Sequence, residues 1–145
     1  MKKLNIQTEI SIHAEAETVW KVLLDFDSYA EWNPFIRQIS GIAQPGNILH
    51  VKICPPGAKP MFFKPRIIAV ENKARFAWLG KLFIKGLFDG EHHFEIHQQE
   101  NGSIRFLQFE QFSGILVPLF KNSLLNNTKL GFNAMNEALK LRCEA

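Results

Sequence analysis

Residues 4–34, LNIQTEISIHAEAETVWKVLLDFDSYAEWNP, hold the reading that decides the fold. From Leu4 to His13 the apolar residues alternate, with Leu4, Ile6, Ile10 and Ile12 on one side and Asn5, Gln7, Glu9 and Ser11 largely on the other. A period of two predicts a strand with one buried face. At Ala14 the period changes: Val19, Trp20, Leu23 and Leu24 form a stripe at helical spacing through Leu24, and Glu15 and Glu17 fall in the first turn, where the helix dipole favours acidic groups. Asp25 to Trp32 predicts a second, very short helix that Asp27 or Ser28 can cap, stopped by Asn33-Pro34. The chain therefore opens strand, helix, helix.

Beyond Pro34 short apolar runs are separated by turn signals at Gln44-Pro45-Gly46, Pro55-Pro56-Gly57, Glu71-Asn72-Lys73 and Glu100-Asn101-Gly102. They delimit strands near Phe35–Ile42, Ile48–Ile53, Met61–Val70, Arg75–Leu79, Gly86–His97 and Ser103–Phe112. Connections this short cannot carry parallel crossovers, so the sheet is antiparallel. After Gly114 the spacing of Leu116, Phe120, Leu124, Asn127, Gly131, Met135, Ala138 and Leu139 predicts one long terminal helix, with Pro118 where a first turn tolerates it. The expected architecture is α+β: a curved antiparallel sheet of about seven strands, two short helices after the first strand, and a long C-terminal helix across the concave face.

A chain of 145 residues suits one domain, 1–145, with one substantial core. At 46% hydrophobic and 21% charged residues it is too apolar for disorder. Phenylalanine is the unusual feature, 13 residues against a single tyrosine, which suits a large core or a greasy cavity because Phe carries no hydroxyl to satisfy. The formal charge of +3 is scattered apart from Lys2-Lys3, which argues against a nucleic-acid partner. No apolar run reaches the roughly 18 residues of a membrane span, and no signal-peptide core follows the N-terminus, so a cytoplasmic location is expected. Cys54 and Cys143 lie far apart outside any metal or redox spacing and read as reduced bystanders.

Several segments resemble a known family. The run Ile12-His13-Ala14, with Val19-Trp20, Leu23-Leu24-Asp25-Phe26, Tyr29 and Trp32-Asn33-Pro34-Phe35-Ile36, is similar to the opening of bacterial START-like (SRPBCC, helix-grip) proteins of the polyketide cyclase/dehydrase and lipid transport type. Trp78-Leu79-Gly80, Gly86-Leu87-Phe88-Asp89-Gly90-Glu91-His92, Glu110-Gln111-Phe112-Ser113-Gly114 and Phe132-Asn133-Ala134-Met135-Asn136 extend the likeness over essentially the whole chain. Ala16 departs from it, since relatives often carry proline there. The resemblance implies a cavity between sheet and terminal helix in a superfamily of lipid and steroid carriers, the birch-pollen allergen type, aromatase/cyclases, ubiquinone-binding chaperones and co-chaperone domains.

Motifs for chemistry are sparse: there is no GxSxG, P-loop, GxGxxG or HExxH. His93 and His97 would share a strand face about 14 Å apart, too far for one metal, so no metal and no cofactor is expected. In Gly86–His97 the set Glu91, His93, Glu95, His97 reads as the solvent face, which turns His92, Phe94 and Ile96 inward. If Gln98–Gly102 closes a hairpin, Ile104, Phe106, Gln108 and Glu110 join that inward face, with His92 opposite Gln108 and diagonal to Glu110; Leu107 and Phe109 compete for it, and a bulge would exchange the sets. His92, Gln108 and Glu110 would then form a polar cluster in an apolar concavity. It can anchor the last helix, recognise a polar group of a ligand, or act as an acid/base pair; no nucleophile accompanies it.

Candidate cavity-wall residues are Phe76, Trp78, Phe94, Phe106, Phe112, Phe120, Leu124 and Asn127, with Trp32 as a lid. Gly131, a weak helix former, predicts close approach to the sheet or a bend. Lys81–Lys85 reads as a hairpin loop that gates entry or touches a membrane transiently. The leading expectation is a carrier of a small hydrophobic molecule, a lipid or polyketide. The alternatives are a cyclase- or dehydratase-like enzyme using His92 and Glu110, or a co-chaperone-like interaction domain presenting Phe62-Phe63 between Lys59 and Lys64. Oligomeric state leaves no signature.

Overall fold

A computed structural model describes residues 3–82 and 88–145, without the side chains at 82 and 124. The opening runs β1 (Lys3–Ile12), α1 (Ala16–Leu24), a 3₁₀ turn (Phe26–Ser28) and the one-turn α2 (Tyr29–Trp32). Neither Asp27 nor Ser28 caps this second helix by its side chain; Ser28 donates instead to Asp25 Oδ2 at 2.7 Å. Then follow β2 (Ile36–Ser40), β3 (His50–Ile53), β4 (Met61–Phe63), β5 (Arg66–Glu71), β6 (Arg75–Leu82), β7 (Phe88–Gln98) and β8 (Ile104–Ser113). The expected Met61–Val70 strand is thus two, divided at Lys64-Pro65, because proline has no N–H to continue a ladder. Among the described residues the strands number eight instead of about seven.

All pairings are antiparallel. Five strands run in the order β1-β8-β7-β6-β5 and three in the order β2-β3-β4. The two groups join through an Ile48–Arg66 bridge and main-chain bonds from Leu49 to Pro65 and from Ile67 to Asn47. The last helical stretch is continuous: α3 (Val117–Ser123), a π turn (Leu124–Thr128) and α4 (Lys129–Glu144). The one long helix expected from the sequence is present with an over-wide turn in it. This is the helix-grip arrangement.

Core formation follows the sequence periods. Ile6 and Ile12 of β1, Val19, Trp20 and Leu23 of α1, and Phe132, Met135 and Leu139 of α4 are buried. On β7 and β8 the even positions Phe88, Gly90, His92, Phe94 and Ile96, and Ile104, Phe106, Gln108 and Phe112, are buried. The inward face is therefore the even set on both strands, with no bulge to exchange it. Each buried Phe contributes about 2 to 3 kcal/mol by leaving water. On the opposite face His93 is also buried, stacked on Phe109 with ring centroids 4.6 Å apart, a contact that alternation alone does not foretell. Gly131 does mark a close approach, to the Phe35 ring after α2 and not to the sheet: a Cβ there would overlap the edge of the ring. No helix among the described residues is long and apolar enough to cross a membrane.

Candidate functional site

The concave face is filled unevenly. Toward α1 and α2 it is packed solid by Phe76, Trp78, Phe94 and Phe106 with Phe26, each ring about 5 to 6 Å from the next. Toward the other end of the strands a cavity of about 300 Å³ remains. Its floor is made by two glycines: Gly80 of β6 and Gly90 of β7 are cross-strand partners, and neither carries a side chain into the space. The Phe63 ring lies over Gly80, and Glu110 Oε2 lies over Gly90 so closely that a Cβ there would overlap it.

Apolar walls come from Phe35, Ile53, Pro55, Phe63, Phe88 and Phe112. Asn33 positions Phe35 by accepting the N–H groups of Phe35 and Ile36 on Oδ1, both at 2.9 Å, which fixes the turn after α2. Helical residues Phe120, Ser123, Asn127 and Thr128 close the remaining side. Ala58 and Ser123 are exposed and Met61 and Phe120 are 36% and 42% exposed, so the mouth lies between the 55–61 segment and α3. Among the described residues no Lys or Arg lines the cavity, and no cluster of three or more His, Cys, Asp or Glu could hold a metal.

Polar groups gather at the inner wall. β7 and β8 pair His92 with Glu110 and Phe94 with Gln108, so His92 faces Glu110 and is diagonal to Gln108, the reverse of the expected register. The hairpin consumes Gln99 to Ser103 before pairing resumes at Gln98–Ile104, which shifts the partners by two and keeps the parity. His92, Gln108 and Glu110 are nonetheless brought together.

Hydrogen-bond direction in this cluster is determined. The Thr8 hydroxyl donates to the Gln108 carbonyl (3.1 Å), so its oxygen accepts from Asn136 Nδ2 (2.8 Å). Asn136 Oδ1 accepts from Gln108 Nε2 (2.8 Å), which also reaches the Phe132 carbonyl (3.4 Å). Two main-chain carbonyls, which can only accept, thus leave Gln108 Oε1 to accept from His92 Nε2 at 2.9 Å. The imidazole proton is on Nε2, and the Nδ1 lone pair faces Glu110 Oε1 at 3.5 Å.

Burial pushes the Glu110 carboxyl up to about 8. Burial likewise holds the His92 imidazole down to about 3, against the hydrogen bond to Gln108 that favours the charged ring. In the folded chain at neutral pH the pair is therefore uncharged, with its acidic proton on Glu110.

Of the residues singled out from the sequence, His92, Glu110, Phe112, Phe120 and Asn127 line the cavity. Phe76, Trp78, Phe94 and Phe106 are core behind it, and Gln108 is buried in the network that ties β8 to α4. Trp32, expected as a lid, packs on Tyr29 at 5.1 Å outside the lining. The Leu124 side chain and most of Lys81–Lys85 fall outside the described residues. Phe62 is 71% exposed under Lys52, while Phe63 turns inward onto Trp78. Sequence reasoning missed Phe35, Phe63, Phe88 and the two glycines; Gly80 and Gly90, each inside a strand, were the available signal, since strand glycines mark places where something approaches the backbone closely.

A family model described as polyketide cyclase / dehydrase and lipid transport matches residues 3–144. Among solved structures, the aromatase/cyclase Zhui from Streptomyces sp. R1128 is similar with a TM-score of 0.78 at 12% identity, over 99% of this chain and 94% of that one. A START superfamily protein from Mycobacterium smegmatis gives a TM-score of 0.70 at 17% identity, over 97% of each chain. The di-domain aromatase/cyclase BexL from the BE-7585A biosynthetic pathway gives 0.78 at 11% identity over 99% of this chain, which spans 50% of the length of BexL. Among curated proteins none matches the chain.

Proposed function

Because the chain belongs to the family of polyketide cyclases/dehydrases and lipid-transport proteins, we propose that it binds one small, mainly apolar molecule in the cavity between β6–β8 and the terminal helix. The carrying observation is the cavity itself, about 300 Å³ of apolar-walled space in a fold whose other end is filled by buried aromatic rings in contact. An apolar-walled space of this size offers a ligand of matching shape many close contacts. Native mass spectrometry of the protein purified from its own host tests the reading: a co-purifying molecule of small mass that dissociates on unfolding is expected. A clean apo mass, with no uptake of naphthalene or an environment-sensitive dye, would overturn it.

A second reading, acid/base catalysis on the bound molecule, is favoured by one feature: Glu110 Oε1 and His92 Nδ1 face each other at 3.5 Å in the cavity wall. It predicts that the protein accelerates hydrogen–deuterium exchange next to the carbonyl of 2-acetylnaphthalene and that Glu110→Gln abolishes the acceleration. An exchange rate equal to that of buffer would exclude it.

A further inference from the structure

We infer that the molecule held in this cavity is uncharged and carries a hydroxyl group, phenolic or alcoholic, at its buried end, donating to Glu110 Oε2. This deepens the binding reading and rests on it. The argument starts from lone pairs. Because the network commits His92 Nε2–H to Gln108, the ring turns a bare lone pair toward Glu110 Oε1 at 3.5 Å. Two acceptors do not face each other in an apolar wall without a proton between them. That proton is carried by Glu110 on its Oε1 side, facing the ring. The other oxygen, Oε2, is left with its lone pairs, and it lies over Gly90 in the volume an inward side chain would otherwise fill. The inner wall therefore offers an acceptor and needs a donor.

The chemistry of the lining narrows the class further. A carboxylate or phosphate would bring negative charge to a wall where no Lys or Arg is present among the described residues, and would set lone pairs against Oε2. A ketone or ether fits the apolar walls but leaves Oε2 unsatisfied. An ammonium group would draw the proton out of the pair and place an ion pair among Phe35, Phe63, Phe88 and Phe112. A neutral hydroxyl meets the site as it stands. At native packing the cavity of about 300 Å³ accommodates roughly 15 non-hydrogen atoms, room for a body of two to three fused six-membered rings.

Isothermal titration of the full chain at about pH 6 with four probes on one skeleton tests this: naphthalene, 2-methoxynaphthalene, 2-naphthol and 2-naphthoate. 2-Naphthol should bind about five- to tenfold more tightly than the methoxy compound and at least about tenfold more tightly than the carboxylate. Glu110→Ala should remove the advantage of the hydroxyl. Glu110→Gln should keep it within about threefold, since its amide N–H can donate to His92 Nδ1 and its oxygen then faces the ligand as Oε2 does. Equal binding of naphthol and methoxynaphthalene, or preference for the carboxylate, would overturn the hydroxyl assignment and leave the binding reading standing. Failure of all four, naphthalene included, would overturn both.

Discussion

Replacing Glu110 by Gln should change how stability responds to pH in a way that identifies the protonation state of the inner wall. Glu110 has an ordinary value of 4.5 when unfolded and about 8 when folded. Between these the folded chain holds a proton that the unfolded chain has lost, so stability falls as pH rises. The slope approaches about 1.4 kcal/mol per pH unit, and the total between pH 5 and pH 8 is about 3 to 4 kcal/mol. His92 acts in the opposite sense: its value drops from 6.5 to about 3 on folding, so its contribution is lost as pH falls through that window. From about 4.5 to 6.5 the two slopes cancel, which predicts a plateau there and a decline above it. Urea unfolding followed by tryptophan fluorescence at pH 5, 6, 7 and 8 gives the difference between wild type and Glu110→Gln, in which titratable groups remote from residue 110 cancel. That difference should move in favour of the variant by about 3 to 4 kcal/mol across the range. Parallel stability curves from pH 5 to pH 8 would refute a buried, protonated Glu110 and with it the proton assigned to the pair.

Three further substitutions probe the same architecture. Asn136→Ala removes the link between Gln108 and Thr8 and leaves buried partners unsatisfied, so a loss of about 1 to 3 kcal/mol is expected in the same urea assay. Gly131→Ala gains helix propensity of up to about 1 kcal/mol but drives a methyl into the Phe35 ring; the net effect in thermal melts should be destabilising, by about 1 to 3 kcal/mol. Gly90→Ala places a methyl where Glu110 Oε2 lies, and should displace the carboxyl and abolish the preference for naphthol over methoxynaphthalene in calorimetry while far-ultraviolet circular dichroism stays unchanged.

Much of the fold was written in periodicity. The alternation of Leu4 to Ile12, the stripe of α1 and the terminal helix are local patterns set by which face must be buried, and each forms where its pattern predicts. The inward turn of His92, Gln108 and Glu110 was legible for the same reason. What failed was what local pattern does not encode. The register of β7 on β8 depends on how many residues the turn consumes, and Glu100-Asn101-Gly102 marks a turn without counting it. Phe76, Phe94 and Phe106 were expected at the cavity because aromatic residues on the concave face serve core and cavity alike. Which end is filled is decided by α1 and α2 covering one half and by glycine at two positions in the other. Phe35 was invisible as a wall residue because Asn33 aims it through main-chain bonds no hydrophobic pattern reports.

The Gly80–Gly90 pair carries a consequence for how such a protein diversifies. Neither glycine adopts the left-handed backbone region that would make a side chain impossible, in contrast to Gly41, Gly46, Gly57, Gly102 and Gly114. Their smallness serves the hollow and not the chain's path. The room available to a ligand is thus set at two positions whose backbone would accept a side chain, and any residue larger than glycine there must first displace what lies over it, Glu110 at Gly90 or the Phe63 ring at Gly80.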